Sequence, residues 1–222
     1  MRGFSGENLS TAIRPMRASD AEAVARLHEI GIPTGFLSSL GTGFLKELYR
    51  AIPSSSCGMG FVLDLGEPLA FVAVTTNTGC LYREVLKGSG LVLCQTLVTR
   101  LWRPSVVRKC FETLLYPNTV GADLPSAEVL SVAVHERARG NGIGKALMKR
   151  AMAALRAEGV ERVKVACLPA NRAAVGLYTS CGFQLAEESE HHGLPVALYV
   201  AGIAPKPGET YEPTDTEVVQ PV

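Results

Sequence analysis

Between Val134 and Met148 the sequence passes from an alternating, β-branched run into a glycine-dense turn, Arg139-Gly140-Asn141-Gly142-Ile143-Gly144, and then into a helical pattern. A strand that enters a helix through glycines leaves the first N–H groups of that helix unbonded, at the positive end of the helix dipole. The junction therefore predicts an α/β fold in which an anion sits against main chain at a helix start.

The two commonest glycine-rich phosphate loops do not fit the spacing. A P-loop requires a glycine five residues before its Gly-Lys pair and a hydroxyl after it, whereas Arg139 and Ala146 stand there. A dinucleotide fingerprint starting at Gly140 would place its third glycine at Lys145, and no acidic ribose-binding residue stands out downstream. What remains is Arg139-x-x-Gly142-x-Gly144 between strand and helix. One helix and one strand later comes Asn171-Arg172-Ala173-Ala174-Val175-Gly176-Leu177-Tyr178-Thr179-Ser180-Cys181-Gly182-Phe183.

Together these two stretches resemble the paired signatures of the Gcn5-related N-acetyltransferase (GNAT) superfamily. The resemblance implies a mixed, mostly antiparallel α/β sheet with a central splayed strand pair and helices on both faces. It implies acetyl-CoA, or another acyl-CoA, as cosubstrate. The pyrophosphate is expected on Arg139, Gly140, Asn141, Gly142, Ile143, Gly144 and Lys145. The pantetheine arm is expected along the backbone of Val132, Ala133 and Val134, added to the sheet like an extra strand. Acyl transfer to an amine requires a base for the ammonium proton and an acid for the departing thiolate. Tyr178 matches the family tyrosine assigned as the acid; packing of Ala174, Leu177 and Cys181 around it is the structural alternative. Glu128, eleven residues before Arg139, resembles in placement the catalytic glutamate of Gcn5-type enzymes. Its alternative is a charged residue at an exposed strand start. Asn171 looks like the family's cofactor-facing asparagine and is also a good N-cap.

The remaining chain reads as a single domain over 1–203. Ala12 to Met16 suggests an edge strand, and Ser19-Asp20-Ala21-Glu22 a capping box that opens a helix to about Ile30. Phe44, Leu45, Leu48 and Tyr49 mark a second helix ended by Pro53; Phe61 to Leu65 and Leu69 to Thr75 form a hairpin. Glu128 to Val134, Val163 to Ala166, Phe183 to Ala186 and Pro195 to Val200 read as strands, Ile143 to Glu158 and Asn171 to Ser180 as helices. Residues 77–125 are an insertion relative to a minimal member of the superfamily, with helical periodicity at 91–102 and 106–115 and an excess of basic residues. The proline- and glycine-rich stretch 204–222 is expected to be a disordered tail.

Other features narrow the partners. A net charge of +1 gives no electrostatic reason to expect nucleic acid. The six cysteines form no Cys-x-x-Cys pair and fall in apolar segments, so they read as reduced, buried thiols; no metal site is expected, and His191 and His192 lack neighbouring ligands. No apolar run reaches the ~20 residues of a membrane span, and a cytoplasmic location is the default expectation. Among the histidines, His28 reads as structural and His135 as a candidate contact to substrate or cofactor. Gly35 to Tyr49 resembles a bacterial GNAT subgroup associated with polysaccharide or amino-sugar pathways. The expected reaction is acetyl transfer to a primary amine of a small molecule, an amino sugar being one candidate, by direct attack in a ternary complex. Alternatives are a protein lysine or N-terminal acetyltransferase and a non-catalytic acyl-CoA-binding module. The basic stretch 80–117 suggests contact with an anionic carrier or membrane face, or a homodimer.

Overall fold

The computed structural model describes residues 12–34, 36–88, 124–191 and 194–203. The expected helices at 91–102 and 106–115, His192 and the 204–222 tail lie outside the described residues.

Chain order gives β1 (Ile13–Pro15), α1 (Ala21–Gly31), α2 (Phe36–Leu40), α3 (Thr42–Ala51), β2 (Gly58–Asp64), β3 (Pro68–Thr75) and a helix, α4, over residues 78–88. Then follow β4 (Glu128–Val134), α5 (Ile143–Ala157), β5 (Arg162–Cys167), α6 (Arg172–Ser180), β6 (Gln184–His191) and β7 (Leu194–Gly202). The strands form one seven-stranded sheet in the order β1-β2-β3-β4-β5-β7-β6, antiparallel except for β4 and β5. This is the mixed sheet that the two glycine motifs imply.

Alternation along the central strands divides the core between two faces. Phe61, Leu63, Val72, Val74 and Val129 point to the side covered by α5, where Ile143, Leu147, Met148, Ala151 and Leu155 are buried. Val62, Phe71, Ala73 and Ala133 point to the side covered by α1 and α3, against Val24, Leu45, Leu48 and Tyr49. Period-2 strands between two amphipathic helical layers require this pattern.

Three local expectations are corrected. The reciprocal cap of the first helix does not start at Ser19: the Asp20 carboxylate accepts the Arg17 N–H at 2.7 Å, because it is also drawn to Arg14, whose guanidinium pairs with Asp20 and Asp64. Glu22 pairs instead with Arg26 and Lys46. The strand expected at Phe183 to Ala186 is longer, because a bulge between Leu185 and Glu187 lets it stay paired with β7 as far as His191. Cys57 and Cys80 are not reduced thiols but a disulfide, made when the first turn of α4 lands beside the start of β2. Their separation of 23 residues hides that juxtaposition in the sequence. Cys167 and Cys181 are free and half-buried. No helix among the described residues is long and apolar enough to cross a membrane.

Candidate functional site

β4 and β5 pair only at Glu128 with Lys164 and Val129 with Val165, and then diverge. On its other side β4 stays paired with β3 up to Val134. From Leu130 onward the β5-facing edge of β4 therefore has no strand opposite it, which is the splay the motifs imply and an open edge for an extended ligand. The β3–β4 register slips between Ala73 and Val74, opposite Ser131 and Val129, so Leu130 is the extra residue of a bulge. The bulge turns Leu130 and Ser131 toward the same side of the sheet, the one covered by α1 and α3.

A buried polar chain holds this bulge. His28 Nδ1 lies 2.5 Å from the Tyr49 hydroxyl, Tyr49 bonds Ser131, and the Ser131 hydroxyl donates to the Leu130 carbonyl at 2.7 Å. His28 Nε2 is buried without a partner. A charged imidazolium is disfavoured there, and burial pulls the His28 pKa down to about 4. His28 is structural, as the sequence suggests; its partner Tyr49 reads from sequence only as a helix-face aromatic.

At the far end of β4 the glycine turn is shaped as the motif requires. A short 3-10 turn, Glu136–Ala138, is capped by His135, whose Nδ1 accepts the Arg137 N–H at 3.3 Å; this gives His135 a structural role. Gly140 and Gly142 have φ of +79° and +73°, a region that L side chains adopt at a cost. A Cβ on either would meet nothing within 4 Å, so the backbone there faces open space. The first helical bond runs from the Ala146 N–H to the Gly142 carbonyl at 3.0 Å, which leaves the N–H groups of Ile143, Gly144 and Lys145 as first-turn donors.

Side chains brace this turn. Asn141 Nδ2 donates to the carbonyls of Ala138 and Arg139, and Arg139 Nε donates to the Val134 carbonyl at 3.0 Å. Both side chains thus shape the turn from within, besides any charge Arg139 adds. Gly144 has ordinary φ; a Cβ there would lie 3.3 Å from Leu177 Cδ2, so this glycine lets α6 close onto α5. Asn171 caps α6, its carbonyl oxygen accepting the Ala174 N–H at 3.1 Å.

Tyr178, on α6, is 5% exposed and tilts against Phe183 with ring centroids 5.8 Å apart. Burial, with Cys167 and Cys181 nearby, raises its pKa well above the ordinary phenol value, so it keeps its proton at neutral pH.

Glu128 is half-buried at the start of β4. Its Oε2 accepts the Thr78 hydroxyl at 2.8 Å. Desolvation raises its pKa, while the charge of Lys164 and the Thr78 hydrogen bond pull the other way. Tyr82, one turn along α4 from Thr78, has a phenol pushed up by burial and by the Glu128 charge. Thr78, Tyr82 and Lys164 carry no sequence signal of their own; they reach Glu128 through the packing of α4 and the register of β5. A separate cleft of about 450 Å³, lined by Thr76, Ser126, Ala127, Gly159 and Arg162, opens at the start of β4, away from the glycine turn.

Fold and site together present unbonded N–H groups at a helix start beside an open strand edge. Comparison with known proteins identifies the family. The model of the acetyltransferase (GNAT) family matches residues 42–183, and the chain belongs to that family, whose members use acetyl-CoA as cosubstrate. A mycothiol acetyltransferase from Thermobispora bispora is 42% identical over 71 residues, 32% of this chain; the aligned part spans about a quarter (24%) of that relative's length. An acetyltransferase of the GNAT family from Streptococcus pneumoniae superposes with a TM-score of 0.55 at 19% identity, over 86% of this chain and 98% of that one. Arabidopsis thaliana NAA60 in complex with acetyl-CoA gives 0.53 at 17% identity, over 86% and 97%. These two structures bear on the fold alone.

Proposed function

We propose that the protein is an acetyl-CoA-dependent N-acetyltransferase whose acceptor is a primary amine on a small molecule. The observation that carries this reading is the continuity of three features along β4: Glu128 at its start, an unpaired edge and bulge in its middle, and an anion-ready glycine turn at its end.

Acetyl-CoA supplies an activated acyl group as a thioester. The N–H groups of the 140–145 turn meet its pyrophosphate, with Arg139 and Lys145 adding positive charge, and Val132, Ala133 and Val134 offer the backbone edge to the pantetheine amides. Glu128, its proton affinity raised by burial, takes the proton from the acceptor ammonium so that the nitrogen lone pair is free to attack. As the N–C bond forms and the C–S bond breaks, Tyr178 donates its proton, or a hydrogen bond, to the departing sulfur. Asn171 acts through the α6 cap that keeps Tyr178 in place.

A small acceptor is favoured over a peptide because Thr78 of the inserted segment stands against Glu128, its hydroxyl 2.8 Å from the carboxylate. The match to a mycothiol acetyltransferase also supports a small acceptor; the amino sugar suggested by the sequence is one such candidate and has no support from the matched relatives. The test is acetyl-CoA turnover against panels of amino sugars, polyamines, amino acids and peptides, with Glu128→Gln as the control. Turnover of a small amine that falls about 10²–10⁴-fold in Glu128→Gln is expected. Turnover of peptides alone would replace the reading with a protein acetyltransferase, and CoA binding without turnover of any amine would leave a binding module.

A further inference from the structure

Outside the acyl-transfer site, one cluster of reactive side chains stands apart. Cys57, buried at the start of β2, is bridged to Cys80, half-buried in the first turn of α4, with their Cα atoms 6.4 Å apart. This spacing lies within the ordinary disulfide range. A carboxylate stands beside it. Glu84 Oε2 lies 3.8 Å from Cys57 Sγ and Oε1 3.9 Å from Cys80 Sγ. It is fixed there by the Ser55 and Ser56 hydroxyls, each 2.5 Å away, and by the Ser56 N–H at 3.1 Å.

We propose that Cys57 and Cys80 form a reversible thiol–disulfide exchange site for low-molecular-weight disulfides, and that its bridge fastens α4 over Glu128. Cys80, the more accessible sulfur, attacks the small disulfide as a thiolate. One S–S bond breaks, a mixed disulfide forms, and the first small thiolate leaves and is protonated. Cys57, as a thiolate, then attacks the mixed disulfide at the Cys80 sulfur; the protein S–S bond forms and the second small thiol departs. The two protein thiols have lost two electrons and two protons, and the two small thiols have gained them. The fixed Glu84 carboxylate opposes thiolate formation at either sulfur, so it slows closure and keeps the open pair as neutral thiols that donate to it.

The bridge reaches the candidate base through one turn of helix. Cys80 is two residues from Thr78, which holds Glu128, and Asn77 caps the same turn by accepting the Cys80 N–H at 2.9 Å. Opening the bridge releases a covalent tie at that turn. The consequence for catalysis rests on the proposed role of Glu128; the thiol chemistry does not.

The test uses the full chain exposed to oxidised or reduced glutathione. Expected in the oxidised sample are the loss of two hydrogens in intact mass, a peptide linking Cys57 to Cys80, slower amide hydrogen exchange over residues 76–82, and a melting temperature raised by about 5–10 °C. Glu84→Gln should close several-fold faster. Because Cys57 is buried, Cys80→Ser is the preferred variant; it should fold and lose the linked peptide, the rise in melting temperature and the redox-dependent exchange over residues 76–82. The proposal is overturned if both sulfurs remain open to alkylation after oxidised glutathione. It is also overturned if bridged and open forms exchange alike over 76–82, or if the reduced protein binds one Zn²⁺ per chain through Cys57, Cys80 and Glu84 and no longer closes. Retention of turnover in Glu128→Gln would remove the catalytic reading while leaving these readouts intact.

Discussion

Acid should weaken this protein through His28. His28 is 1% exposed, stacks on Phe71 with ring centroids 6.3 Å apart, and has one nitrogen on Tyr49 and the other without a partner. The folded chain therefore takes up the His28 proton at about 4 instead of the ordinary 6.5. Between those values the unfolded chain binds more protons than the folded one, so stability is complete above pH 6.5 and falls as the pH falls. By pH 5 the loss amounts to about 2 kcal/mol. That is a sizeable part of the 5–15 kcal/mol typical of a folded domain. Urea unfolding of the wild type and His28→Gln at pH 7.5 and pH 5 isolates the effect, because Gln can still hydrogen-bond Tyr49, as donor or acceptor, but does not titrate. The wild type should lose about 2 kcal/mol more than the variant over this interval. Equal losses would refute the assignment of His28 as a buried neutral imidazole. Because the same chain of hydroxyls ends on the Leu130 carbonyl, the bulge of β4 should loosen together with it, visible as faster exchange of the β4 amides at low pH.

Three further outcomes are expected. Gly142→Ala places a side chain at φ +73° with nothing to clash against, so it should cost about 1–2 kcal/mol of stability and weaken CoA binding, measured by calorimetry, about 10-fold. Thr78→Val removes the hydrogen bond that favours the charged form of Glu128; the acid limb of kcat/KM should move to higher pH, with the neutral-pH value down about 10-fold. Tyr178→Phe should lower kcat about 10²-fold while the CoA dissociation constant stays unchanged, and an equal loss in both would make Tyr178 a packing residue only.

On the function proposed here, the arrangement along β4 lets one strand serve two ligands. Pairing with β3 fixes the strand, early loss of β5 frees its other edge, and the bulge lets a polar relay reach its middle without interrupting the apolar face under α5. Glu128 lies at the last part of β4 still paired to β5, where Lys164 opposes it, so its carboxylate is held between a cation and the desolvating cover of α4. A base in that setting keeps a raised proton affinity without losing its charge altogether.

The sequence by itself determined the α/β alternation, the strand–glycine–helix junction and the α6 signature. These are local: Gly140 and Gly142 are needed because the backbone there turns to positive φ, and Asn171 is needed because the helix it starts has unbonded N–H groups. Even Gly144, legible only as part of a motif, gains its reason from a neighbour, Leu177 of another helix. What only the tertiary structure decided involves residues far apart in sequence. Thr78 on Glu128, Lys164 opposite it, Tyr49 between His28 and Ser131, and the Cys57–Cys80 bridge beside Glu84 all span tens of residues. Period and propensity report which face a side chain takes and how its own turn is capped. They carry no record of which distant side chain shares that face, because that is fixed only when strand register and helix packing bring the elements together.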